Sequence, residues 1–310
     1  MLLNISHYLS ESGLPSGGSC VALGLFDGLH LGHMAVIERM LALSATKRLT
    51  PLMFTFTAAG DGPATKGNMT GLLSFDMMCS LLERHGVEQV VCPNFEQFRH
   101  LCPEDFVRKV LGKRLGAAHV VCGEDFRFGK DAAGDMDTLR RLCSGANITA
   151  EAVPTVTIDS CPVASRNIRQ LVESGDMPTA NRLLGRPFTI DFEVIHGRRL
   201  GRTLGMPTIN QAFPTRFTLP RFGVYLTRVL LNGNLYSGIT NVGVKPTTGD
   251  SNPPLAETFI QGFEGDLYGQ RVNVEFLRFL RDEQKFGSVN ELKSAIIADI
   301  AHARAIVDGE

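Results

Sequence analysis

The hydrophobic pattern changes period near Gly185, and one fold cannot serve both sides of the change. Before it, short apolar runs alternate with stretches whose apolar residues recur every three or four positions: residues 19–25 then 31–43, residues 52–56, then LLSFDMMCSLLERHGVEQVVCPNF and CPEDFVRKVLGKRLGAAHVVCGEDFRFG. A period near 3.6 marks an amphipathic helix and a short apolar run a buried strand. Strand and helix in alternation predict a parallel sheet covered by helices. After Phe188 the runs become FTIDFEVI, GVYLTRVLL, LYSGITNVG and RVNVEFLRFL, separated by Gly, Asn, Asp and Pro. These predict antiparallel strands closing into a small barrel. Asn232-Gly233 marks one hairpin, because Asn-Gly takes the positive φ angles of a tight turn. Ser288 and Glu291 form a capping box opening a helix that runs through Ile306. A helix through residues 171–184 is expected to stop at Gly185, with Pro187 beyond it, and this sets the boundary. The expected class is α/β plus β: a parallel-sheet, Rossmann-like domain over residues 1–184, then a small antiparallel β-barrel domain with a C-terminal helix over 185–310.

At 310 residues, both domains can bury a core of their own. A formal charge of −1 gives no electrostatic reason to expect nucleic acid or an anionic membrane as partner. The lead MLLNISHY lacks the basic and apolar regions of a secretory signal. No run approaches the roughly 20 apolar residues of a membrane helix, so the expected location is the cytoplasm. Seven dispersed cysteines without a C-x-x-C pair argue for reduced, buried thiols and against a zinc site.

The sharpest chemistry lies at residues 196–210, HGRRLGRTLGMPTIN. Gly197, Gly201 and Gly205 let the backbone approach a ligand closely, and peptide N–H groups in such a loop can cradle phosphate oxygens. Arg198, Arg199 and Arg202 add charge, Arg being suited to phosphate by its planar fork of donors. Thr208 and Asn210 are two residues apart, on one side of an extended segment. Their hydroxyl and amide oxygens are hard ligands that Mg²⁺ accepts alongside nucleotide phosphates. In the first domain the strand at 19–25 and the helix from Leu31 flank the turn FDGLHLGH. His30 and His33 can share one face there, next to backbone N–H groups and the positive dipole end that favour phosphate. Capping the helix, binding phosphate and holding a metal are the competing roles for the pair.

These segments resemble the bifunctional riboflavin kinase/FAD synthetase family of bacteria. GRTLGMPTIN resembles the kinase half's nucleotide loop and its Pro-Thr-x-Asn signature, and GLFDGLHLGH resembles the G-x-F-D-G-x-H-x-G-H signature of the nucleotidyltransferase half. The resemblance implies that Gly197, Gly201, Arg202 and Gly205 hold ATP and that Thr208 and Asn210 serve Mg²⁺. Glu257, within PPLAETFI, stands at the place of the base for the riboflavin hydroxyl. In the first domain it implies ATP phosphate binding at Gly24, Phe26, Asp27, Gly28 and Gly32, with His30 and His33 steadying the charge of adenylyl transfer. Ser165 and Arg169, in VASRNIR, match the family's ATP-embracing I-S-S-T-x-I-R, with Ala164 and Arg166 each replacing a hydroxyl. Asp125 and Arg127, in GEDFRFG, fall on the FMN side of that site. The segments NVGVKPT, DLYG and LRDEQKF also match, and Arg281 lies in the one expected to face flavin. Residues 57–63, TAAGDGP, stand where the family has a Pro-His-Pro-like element, and Phe259 replaces a His. The implied activity is ATP-dependent phosphorylation of riboflavin to FMN and adenylylation of FMN to FAD. The departures leave open a kinase with a catalytically weak first domain, and a flavin- or nucleotide-binding protein without activity.

Overall fold

The structure is a computed structural model that describes residues 3–6, 17–56, 70–197, 207–244 and 253–284, with 291, 294–295 and 297–302 near the C-terminus. Two compact units make up the chain, Met1–Ser165 and Arg166–Glu310.

The first unit is built on six strands, β1 (Asn4–Ser6), β2 (Ser19–Leu23), β3 (Thr50–Phe54), β4 (Gln89–Val91), β5 (Ala117–Gly123) and β6 (Thr149–Val153). All pair in parallel, in the order β1-β4-β3-β2-β5-β6. β2 is buried along its whole length. Its alternate residues enter opposite layers, Val21 and Leu23 joining one apolar cluster and Cys20 and Ala22 the other. Burial on both faces is why such strands read as continuous apolar runs. Helices Leu31–Lys47, Phe75–Arg84 and Met136–Gly145 cover the sheet, and a short antiparallel hairpin, β7 (Thr157–Ile158) with β8 (Cys161–Pro162), follows β6. Ser74 caps the second of these helices by accepting from Met77 N, and Gly86, at φ 79°, ends the turn after it. The chain leaves β2 toward β3 on one side, while β5 adds on the other. The carboxyl ends of β2 and β5 therefore flank the point where strand order reverses, the usual ligand crevice of such a sheet.

The predicted helix over 171–184 is two helices, Ser165–Ser174 and Met177–Leu184. Gly175 sits between them at φ 86°. Asp176 starts the second by accepting from Thr179 N at 3.2 Å, and Pro178 has no N–H to continue the first. Both lie in the second unit beyond Ser165, although the pattern change lies at Gly185. Asn181 explains the attachment, donating from Nδ2 to Phe276 O at 2.8 Å while its Oδ1 accepts from Phe188 N at 2.7 Å.

The second unit carries β9 (Phe188–Ile190), β10 (Val194–Ile195), β11 (Thr208–Ala212), β12 (Gly223–Leu231), β13 (Asn234–Gly243), β14 (Leu255–Ile260) and β15 (Asn273–Arg281). They form one antiparallel sheet in the order β10-β11-β14-β13-β12-β15-β9. Its two edge strands are β9 and β10, yet only residues 191–193 join them. Six strand spacings of a flat sheet would put them about 28 Å apart, and so short a link spans roughly 14 Å at most. The sheet must therefore curl. Its concave face buries Tyr225, Phe188 and Phe276, and a ladder of threonine hydroxyls crosses it, Thr227 to Thr240 and Thr240 to Thr258, each at 2.8 Å. Asn232 and Gly233, at φ 49° and 79°, make the expected hairpin between β12 and β13. On the convex face Val224, Leu226 and Ile239 pack with Leu277 and Leu280 of β15 and with Ile300 of the C-terminal helix. Ser288, of the expected capping box, lies outside the described residues. Of the seven cysteines, all free, Cys20, Cys92, Cys122 and Cys143 are buried; Cys79 and Cys161 are partly buried, and Cys102 is exposed, contrary to the expectation of a buried set.

Candidate active sites

In the first unit, the turn after β2 is a tight backbone device. Phe26, Gly28 and Leu29 take φ of 54°, 85° and 40°, so two side-chain-bearing residues occupy the left-handed region. Such strain persists where surroundings over-determine it. Phe26 is buried in the core, with its ring against Gly24, where a Cβ would lie 3.1 Å from it. Asp27 is 2% exposed, its Oδ1 accepting from Leu72 N at 2.9 Å and its carbonyl oxygen from Ser165 Oγ at 2.9 Å. The side chains of both residues, expected at ATP phosphate, shape the turn. Ser165 likewise braces it.

His30 is the N-cap of helix Leu31–Lys47, its Nδ1 accepting from His33 N at 3.2 Å. With Nδ1 used as acceptor, the neutral ring carries its proton on Nε2. The sequence sets capping against phosphate binding at His30; the geometry makes them compatible, because the cap engages Nδ1 of the two ring nitrogens. The His30 and His33 rings stack at 3.6 Å between centroids, 16° from parallel, and Phe26 meets His33 edge-on at 5.3 Å. A Cβ on Gly32 would lie 3.2 Å from the His30 ring and from Val163 O, so glycine there sets the ring's place.

Across the crevice, the loop after β5 carries Asp125 and Arg127, both exposed, with Arg127 Nη1 3.7 Å from Asp135 Oδ2. Glu124 is tied back by Thr155, whose N–H and hydroxyl donate to Oε1 at 2.9 and 2.7 Å; these bonds hold its carboxyl below the usual range. Sequence reasoning missed the aromatic row at this sheet edge. Phe95 stacks on Phe56 at 4.9 Å, Phe98 meets Phe56 and Phe54 edge-on, and Phe106 joins Phe54 to Phe128. Phe126 lies nearly parallel to Phe128, at 9°. Phe95, 38% exposed, is its open end. The signal available was a Phe following each of three successive predicted strands. Arg169 is buried on helix Ser165–Ser174. Residues 57–63 lie outside the described residues.

In the second unit, strand register brings together residues that the sequence singled out far apart. Thr208 and Asn210 lie on one face of β11. Asn210 stands opposite Glu257 of β14, and Glu257 stands opposite Asn241 of β13. The row continues through Val224 of β12 to Arg281 of β15. Directly opposed residues share a face, with Cβ atoms about 5 Å apart. A hydroxyl, an amide and a carboxylate far apart in sequence thus converge on the convex face. Gly197 lies against Asn210, where a Cβ would come within 2.6 Å of Nδ2. Beside Thr208 opens a cavity of about 270 Å³ lined by Pro207, Phe263, Asp266, Leu267 and Tyr268 among others, and His196 packs on Tyr268 at 3.9 Å. Asp266, Leu267 and Tyr268 fall in the segment DLYG and Pro207 and His196 in the segment 196–210, whereas Phe263 lies in neither. Gly201, Arg202 and Gly205, with Arg198 and Arg199, lie outside the described residues.

Arg281, in the segment expected to face flavin, forks onto the C-terminal helix. Its Nε and Nη2 donate to the two oxygens of Asp299 at 2.9 and 2.8 Å, and Asp299 is 6% exposed. The fork pins the C-terminal helix to the convex face. Among the described residues no group of three or more His, Cys, Asp or Glu is arranged to hold a metal. The donors that fit Mg²⁺ are the hydroxyl of Thr208 and the amide oxygen of Asn210, too few for a protein-only cage and suited to an ion shared with phosphates.

Two family models match the chain, FAD synthetase over residues 15–167 and riboflavin kinase over 184–307. A bifunctional riboflavin kinase/FMN adenylyltransferase from Pseudomonas fluorescens is 37% identical, over 94% of both chains. The proteins of that name from Bacillus subtilis and Escherichia coli K12 are 33% and 31% identical, over at least 90% of each chain. A solved structure titled macrolide-efflux protein, from Streptococcus pneumoniae, superposes with a TM-score of 0.85 at 29% identity, covering 98% of this chain and 99% of that one. That title stands apart from the others, and among the described residues no helix is long and apolar enough to cross a membrane. The stacked histidines on a capped turn and the Asn210–Glu257 register are thus features of a chain that belongs to the bifunctional riboflavin kinase/FMN adenylyltransferase family.

Proposed function

We propose that the chain makes FMN and then FAD, one reaction in each unit, with riboflavin, FMN and ATP as substrates and the cytoplasm as its compartment. The observation that carries the kinase reading is the register of Asn210 with Glu257, which sets a phosphate-side ligand one strand from a base. ATP enters at the cavity beside Thr208. Thr208 and Asn210 would hold Mg²⁺, which would supply positive charge to offset that of the phosphates. Glu257 takes the proton of riboflavin's 5′-hydroxyl as that oxygen bonds to the γ-phosphorus, and the bond from γ-phosphorus to the β-bridging oxygen breaks to release ADP. Positioning and charge neutralisation supply most of the rate.

In the first unit, an FMN phosphate oxygen bonds to the α-phosphorus of ATP and pyrophosphate leaves. The His30 ring, held by its Nδ1 cap, donates from Nε2 to the phosphate oxygens, and His33 stacked on it adds a second imidazole. Helix Leu31–Lys47 contributes the positive end of its dipole. Phe95, Phe56 and Phe126, the members of the aromatic row that are not buried in the core, support the FMN ring system by offset stacking, with Asp125 and Arg127 at its edge. Incubation of the protein with riboflavin, ATP and Mg²⁺, with the flavins resolved by chromatography, tests the reading. FMN and FAD are expected; FMN alone restricts the activity to the second unit, and unchanged riboflavin overturns the proposal.

A further inference from the structure

Asn241 is the neighbour of Glu257 on the side away from Asn210, and neither reaction above assigns it a part. Its carboxamide is held in one orientation. Nδ2 donates to Glu283 Oε1 at 3.1 Å. The Glu283 carboxylate fills the space beside Gly243 that any side chain on that residue would need, so β13 has a seat for it. An ionised carboxylate only accepts hydrogen bonds. Glu283 therefore selects which end of the amide it meets, turning the NH₂ toward itself and the carbonyl oxygen away. Without such a partner the two ends of an amide are nearly the same shape, and either orientation is open.

An acceptor of fixed direction thus stands one strand, about 4.8 Å, from Glu257. Two hydroxyls on an extended polyol, one or two carbons apart, span a similar distance. Riboflavin has such a chain, a primary alcohol followed by secondary ones. Resting on the kinase reading given above, we infer that Asn241, oriented by Glu283, is a specificity-determining residue of the kinase, accepting a hydrogen bond from a secondary hydroxyl of the substrate's polyol chain and so aiming the primary hydroxyl at Glu257. The substrate class selected is a flavin with a polyol arm, over one with a plain hydroxyalkyl arm.

The competing explanation is that the Asn241–Glu283 bond only ties the segment after β15 to β13. The two differ in coupling between residue and substrate. The test compares kcat/KM for riboflavin and for a flavin carrying a 5-hydroxypentyl arm, which keeps the primary alcohol and lacks the secondary ones. Wild-type protein is expected to prefer riboflavin by about tenfold or more, the effect of leaving a half-buried acceptor unpaired. In Asn241→Ala the preference is expected to shrink to within about threefold, with KM for ATP unchanged. Glu283→Ala, which removes the orienting carboxylate and no substrate contact, is expected to lower the same ratio and guards against a poorly folded Asn241 variant. Equal treatment of the two flavins by wild type overturns the inference, as does a ratio that both variants leave intact. Failure of the wild type to phosphorylate riboflavin at all is a distinct result, removing the kinase reading itself.

Discussion

Replacing Gly197 with alanine tests whether Asn210 belongs to the metal site. The new Cβ would lie 2.6 Å from Asn210 Nδ2, 2.8 Å from Cγ and 2.9 Å from Oδ1, so the entire amide is in its way. Ordinary contact between heavy atoms is about 3.5 Å, so the amide must retreat by roughly 0.9 Å. Asn210 is 5% exposed on a paired strand, and its retreat is confined. A ligand oxygen displaced by that much no longer meets an ion whose accepted distances vary by about 0.2 Å. Loss of one hydrogen bond or ligand contact to a charged group costs about 1.5–3 kcal/mol, which is roughly 10- to 150-fold in kcat/KM. The assay is conversion of riboflavin to FMN as Mg²⁺ is varied, with conversion of FMN to FAD as an internal control. Gly197→Ala should shift the Mg²⁺ requirement upward and lower kcat/KM for ATP, with FAD synthesis from FMN unchanged. An unaltered Mg²⁺ dependence would refute the placement of Asn210 beside the ion.

Three other perturbations have clear directions. Glu257→Gln keeps the shape and removes the proton acceptor; FMN formation should fall by about 10²- to 10⁴-fold while FAD formation from supplied FMN persists, and unimpaired FMN formation would exclude the role. Asp299→Asn halves the grip on Arg281 and should cost about 2–3 kcal/mol of the second unit's stability, read as a lower unfolding midpoint and faster amide exchange in residues 297–302. Unchanged exchange there would show that the fork does not hold the helix. The third concerns His119, buried on β5 with Nε2 3.6 Å from Glu151 Oε2 and with Arg39, Lys47 and Cys20 nearby. Burial lowers its pKa, with attraction to Glu151 opposing. The unfolded chain therefore binds the proton more readily, and stability falls as pH drops below the ordinary histidine value. Glu151, held low chiefly by its hydrogen bonds from Arg39, adds a second loss only below the ordinary glutamate range. His119→Gln should flatten the unfolding midpoint between about pH 7 and 5 and leave the more acidic fall intact; an equally steep profile in both proteins would remove His119 as the cause.

The sequence by itself determined the kinds of element and their chemistry. Local periodicity predicted a strand at residues 19–25 and a helix at 31–43, where the structure has Ser19–Leu23 and Leu31–Lys47, because a buried strand and an amphipathic helix each impose a repeat that a few neighbours suffice to reveal. It also determined the Asn232-Gly233 hairpin and the groups able to meet phosphate and Mg²⁺, from the backbone freedom of glycine and the donor types of His, Thr, Asn and Glu. It misjudged 171–184 as one helix, because the capping strength of Asp176 and the left-handed turn at Gly175 outweigh the apolar repeat that spans them.

Only the tertiary structure decided which of those groups stand together. Strand order sets the turn after β2 opposite the loop after β5, and cross-strand register sets Asn210, Glu257 and Asn241 in one row although they span residues 210 to 257. It also turned Asp27 and Phe26 inward, gave Arg281 to Asp299 and gathered the phenylalanines at one sheet edge. Period and composition are local quantities, whereas register comes from how a whole sheet pairs and buries its faces, and a slip of one residue would carry Glu257 to the opposite side.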